Sequence, residues 1–92
     1  MPDKLRINVT EAEAIGLKVL GFLCEDESRL SRFLALTGFD SAALRNAASD
    51  PQALAGILAY LLGNETDLMI FAEEQGIDPR LPQMAHDLLS RS

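Results

Sequence analysis

The sequence predicts an all-α fold: one compact domain of five to six short helices, spanning residues 10–92, behind an extended N-terminal arm, residues 1–9. Three observations carry this. The chain has 92 residues, enough for one core and little more. Its hydrophobic fraction is 48%, dominated by Ala and Leu, with aromatics at only 5%; that balance favours helices over strands. Finally, glycine, aspartate and Asp-Pro punctuation recurs at helix-length intervals.

In the arm, Leu5, Ile7 and Val9 alternate with polar residues, a short extended pattern too brief for a sheet. Thr10 with Glu13 has the spacing of a capping box and predicts the start of helix one, which runs to about Cys24. Ala12, Ile15, Val19, Phe22 and Leu23 share one face. Leu17, Leu20 and Cys24 lie on the other. A helix apolar nearly all round is usually buried from several sides, so a central position in the bundle is preferred. The competing reading makes Leu17, Leu20 and Cys24 a protein contact, with Leu5, Ile7 and Val9 as a second contact surface.

Glu25, Asp26 and Glu27 suit the positive N-terminal end of helix two, whose inner face is predicted as Leu30, Phe33, Leu34 and Thr37. Gly38 is its expected left-handed cap, with Phe39 folding back. Asp40 caps helix three, with Ala43, Leu44 and Ala47 inward. Asp50-Pro51 opens helix four, striped by Leu54, Ile57, Leu58, Leu61 and Leu62. Gly63 and Asn64 separate it from helix five, whose inward set is Leu68, Met69, Phe71 and Ala72. Gly76, Ile77 and Asp78-Pro79 then lead to helix six, with Leu81, Met84, Ala85, Leu88 and Leu89 on one side and a start near Pro82. The stretches Phe33–Ser41 and Phe71–Pro79 use the same turn chemistry twice, which is fewer copies than a solenoid needs.

The formal net charge of −6 repels phosphate backbones and anionic lipid, arguing against nucleic-acid and membrane partners. Residues 1–4 lead into no apolar leader segment, and the longest run free of strongly polar residues, 53–63, falls short of the ~20 residues that cross a bilayer. Cys24 is the only cysteine, so no intrachain disulfide forms, and a reducing cytoplasm is expected.

Few residues invite chemistry. Cys24 and His86, the only Cys and His, could form a nucleophilic dyad only if adjacent in space; structural roles at a helix end and at a core edge are the expectation. Asp87 is expected to point away from His86. The acidic clusters lack the spacing of a calcium loop. No catalytic, cofactor or metal residue is assigned, and no enzyme activity is expected. Helices two and three outline a helix-turn-helix, with Arg29 and Arg32 for phosphate and Arg45 and Asn46 for bases. Leu34 is large where that motif needs a small residue, and the second helix is cut short by Asp50-Pro51. The leading reading is a non-enzymatic interaction module that binds a protein partner or a second copy of itself. A DNA-binding regulator is the alternative, and a small-molecule or metal-binding protein the second.

A wider pattern joins these features. It comprises Ala14, Leu20, Phe22 and Leu23, then Arg29-Leu30-Ser31-Arg32-Phe33-Leu34-Ala35-Leu36-Thr37-Gly38, then Asp40, Leu44, Arg45, Asp50-Pro51, Leu54, Ile57-Leu58, Leu61-Leu62, Glu65, Leu68, Phe71-Ala72 and Gly76. Across Glu11 to Leu81 it resembles a family of short, uncharacterised, mostly alphaproteobacterial proteins catalogued as a domain of unknown function. The resemblance implies a helical bundle in a bacterial cytoplasm, and brings no catalytic residues.

Overall fold

The computed structural model describes residues 5–91. Its elements are α1 (Val9–Cys24), α2 (Glu27–Thr37), α3 (Ser41–Asn46), a 3-10 turn (Ala47–Ser49), α4 (Pro51–Leu62), α5 (Glu65–Gln75) and α6 (Leu81–Ser90). Among the described residues there is no strand. The radius of gyration is 12.6 Å, close to the ~12 Å expected of a single packed domain of this length.

Each boundary has a local cause. Asp26, Asp40, Asp50 and Asn64 each accept a backbone N–H from the first turn of the helix they precede, satisfying donors that otherwise lack partners. Gly38 and Gly76 end α2 and α5 in the left-handed region, at φ 77° and 65°, where a side chain would be strained. After Gly76, the N–H of Ile77 donates back to the Ala72 carbonyl, the closing bond of a Schellman turn. Pro82 sits in the first turn of α6, where its missing N–H is harmless.

The first boundary differs from the sequence expectation. The capping box is Asn8 with Glu11, not Thr10 with Glu13: the Glu11 N–H donates to Asn8 Oδ1 at 2.7 Å and the Asn8 N–H to Glu11 Oε1 at 2.9 Å. Asn8 is extended, with ψ near 180°, so helical geometry starts one turn-half earlier and Val9 belongs to α1, not to the arm. Residues 1–4 of the predicted arm lie outside the described residues.

The centre is a trio. α1, α4 and α6 pack on one another, α2 is laid against α1, and α5 against α4. α4 and α5 meet at 108° across Gly63-Asn64, and among the described residues no single helix is long and apolar enough to cross a membrane. Val19, Phe22 and Leu23 of α1, Leu54, Ile57, Leu58 and Leu61 of α4, and Ala85 and Leu89 of α6 are essentially inaccessible. Two aromatic pairs pin the outer helices to this centre. Phe71 of α5 meets Phe22 edge-on at 5.4 Å, and Phe33 of α2 meets Tyr60 of α4 edge-on at 5.0 Å. Phe39 folds back onto Phe33 at 4.9 Å, as its position after the Gly38 cap predicts.

Two predicted inner residues are turned outward. Thr37 is exposed; its hydroxyl donates to the Phe33 carbonyl and accepts the Phe39 N–H, so it closes the end of α2 instead of packing. Met69 is 51% exposed, because Asp67 occupies the inner side of that first turn. The Asp67 carboxylate is buried and takes a 3.2 Å hydrogen bond from the Asn64 side-chain amide, while its N–H returns to Asn64 Oδ1.

Candidate functional site

α1 presents two unlike faces. Its inner face contains Gly16, where an added Cβ would stand 3.2 Å from Leu54 Cβ. The glycine lets α1 and α4 approach closely, an arrangement a larger residue would wedge apart. On the outward face, Ala14, Leu17, Lys18, Gly21 and Cys24 are all exposed. Leu17 is 41% exposed, and Leu20, at the margin, is half-buried against the core. A Cβ added at Gly21 would meet nothing within 4 Å.

This overturns the expectation that α1 is wrapped on all sides. The physical reason is the number of helices. α4 and α6 cover one side, α2 covers part of a flank, α5 reaches the same buried side through Phe71 against Phe22, and α3 packs mainly on the 3-10 turn. Cys24, expected as a buried small hydrophobe, is a free exposed thiol, because the chain turns away at Glu25-Asp26 before anything can cover it.

The arm is placed differently. Leu5 and Ile7 are half-buried while Arg6 and Asn8 face out, as period-two alternation predicts. Leu5 and Ile7 line a shallow depression of about 290 Å³ with Met84 and Leu88 of α6, rimmed by Arg6, Asp87 and Arg91. Two of the three arm residues are thus turned to the chain's own α6. Val9, already helical, is 46% exposed. A second apolar depression, about 310 Å³, lies along α5 between Met69, Ile70 and Ile77; sequence patterning missed it because Met69 reads as core.

The four residues considered for nucleic acid are not equivalent. The Arg29 guanidinium donates to the Phe22 carbonyl at 2.9 Å and lies 3.8 Å above the Phe22 ring centroid. It neutralises the negative C-terminal end of α1 and stacks on an aromatic face. Arg29 is therefore engaged inside the fold. One sequence signal could have found it: α1 has no basic residue in its last turn, and Arg29 is the first cation after it. Arg32, Arg45 and Asn46 are exposed. α3 is only six residues long and packs mainly on the following 3-10 turn, which packs on α4; the two helices of a helix-turn-helix pack chiefly on each other.

Cys24 and His86 are not brought together. The half of α6 that carries His86 lies beside Ile7, at the start of α1. Cys24 ends that helix, ~22 Å further along its axis at 1.5 Å per residue. Neither residue lines either depression. The His86 Nδ1 atom is buried without a hydrogen bond, and Asp87, expected to point away, brings a carboxylate oxygen to 3.7 Å from it. Among the described residues, no three His, Cys, Asp or Glu side chains are grouped to hold a metal ion. Among the described residues, the one strongly displaced carboxyl is Asp78: its hydrogen bonds from the Arg80 guanidinium and backbone N–H lower its pKa from 3.8 to about 2. This is a surface turn lock between α5 and α6.

Residues 9–92 match the family described as protein of unknown function (DUF3572), and the chain belongs to that family. No curated protein matches it, and no solved structure does.

Proposed function

We propose that this chain is a non-enzymatic interaction module of the bacterial cytoplasm, docking through the outward face of α1. The observation that supports the reading is the exposure of Leu17 and Cys24 beside half-buried Leu20, on a helix whose other face is already committed to the core. An apolar strip left open on a buried helix gains free energy when a partner covers it, at roughly 25 cal/mol per Å² removed from water. The resemblance to alphaproteobacterial proteins and the single free thiol suit the compartment.

The test is capture from the native cell with immobilised wild-type chain and a Leu17→Glu variant. Leu17 is outside the core, so the variant keeps its helical circular dichroism. The expected result is a specific partner, or the chain itself, retained by the wild type and lost from the variant. Equal capture by both chains removes α1 as the docking face.

A further inference from the structure

The two glycines of α1 are explained unequally by the fold. Gly16 has its reason inside the chain, since an added Cβ would crowd Leu54 Cβ at 3.2 Å. Gly21 is also helical, takes no positive φ, and has open space where its side chain would be. Glycine weakens a helix relative to alanine, and nothing within this chain returns that loss at position 21. It lies five residues on, about 140° around the helix from Gly16, centred between exposed Leu17 and Cys24. A helical glycine amid exposed apolar side chains permits the same thing outside as Gly16 permits inside: close approach of another helix.

The charges beside it indicate which helix. Lys18 and Glu25 are exposed, lie seven residues apart and so share one flank of α1, and neither makes an ion pair among the described residues. Gly21 stands between them. When two copies of α1 cross antiparallel at Gly21, a twofold axis sets Lys18 of each copy beside Glu25 of the other, giving two opposite-charge contacts from one surface. A parallel crossing carries the Lys18–Glu25 flanks of the two copies to opposite sides of the contact, so neither charge meets its opposite. A surface complementary to itself under a twofold axis is what an isologous dimer requires. We infer that the outward face of α1 pairs with a second copy of this chain, antiparallel and closest at Gly21. One helix face covers less than the ~800 Å² per partner of a standard interface, so the dimer is concentration-dependent. The inference rests on the α1 docking face proposed above and names its partner.

Sedimentation equilibrium of the full chain, from about 10 μM to about 1 mM at physiological ionic strength, reads the association. The wild type is expected to move from monomer towards dimer. Lys18→Glu and Glu25→Lys each weaken association about tenfold, by placing like charges together, and the double reversal restores it. The two single changes move the net charge in opposite directions, so general repulsion would weaken one and strengthen the other. A wild type that stays monomeric throughout overturns pairing between copies; if Leu17-dependent capture of another protein persists, the docking face itself stands. A dimer indifferent to the charge reversals overturns the antiparallel arrangement, and one indifferent to Leu17→Glu as well overturns the α1 face altogether.

Discussion

Gly16 and Gly21 occupy the same helix, five residues apart, and do opposite things for the monomer. At Gly16 the missing side chain is filled by Leu54 of α4, and the helix is anchored there. At Gly21 the missing side chain leaves bare backbone facing water. The difference teaches that α1 is half of a finished packing unit and half of an open one. A residue type alone does not say which; the neighbour supplied by the fold does.

The largest effect should come from the anchored side. Leu58 is inaccessible at the centre of the α1–α4–α6 trio, and Leu58→Ala should cost about 2–5 kcal/mol in denaturant titration. A loss below about 1 kcal/mol would mean the trio is not the core. Next is Gly16→Leu, which drives a side chain into Leu54 and should cost about 1–3 kcal/mol by overpacking; a neutral outcome would erase the contrast between the two glycines. Arg29→Met keeps contact with the Phe22 ring but removes the hydrogen bond to the Phe22 carbonyl, with an expected loss of about 1 kcal/mol. Its denaturation midpoint against the wild type is the readout.

Gly21→Ala should reverse the sign. With open space for a Cβ and ordinary helical geometry, it should stabilise the monomer by up to about 1 kcal/mol. Measured in dilute solution, a loss there would show that the outward face is constrained within the monomer after all. The smallest effect is local. The depressed pKa of Asp78 means its turn contacts with Arg80 are fully present above the unfolded value of 3.8 and are lost as pH falls through about 2. Arg80→Ala should move the carboxyl titration, followed by NMR, back towards 3.8.

Most of the helix boundaries were legible from residue identity. Asp40, Asp50, Asn64, Gly38 and Gly76 act on backbone groups two to four residues away, and such interactions travel with the local sequence. The misreadings share a cause. Thr10 and Asn8 each stand three residues before a glutamate, and both could cap; the extended backbone at Asn8 selected one. Met69 and Thr37 have the spacing of core residues, but the inner side of each turn was taken by a neighbour's hydrogen bonding or packing. Arg29 looked like a phosphate contact because its partner is a backbone carbonyl, that of Phe22; the only mark in the sequence is the lack of a basic residue in the last turn of α1.

The sequence by itself therefore determined an all-helical chain, its stops and caps, and the apolar stripe of α4, since these depend on short-range sterics and on side-chain periodicity. It also put two apolar faces on α1. Only the tertiary structure decided that one of them is covered and the other open. Covering a helix requires neighbours on every side, and the direction in which α2 leaves Cys24, together with the commitment of α5 to α4, leaves none for Leu17 and Gly21.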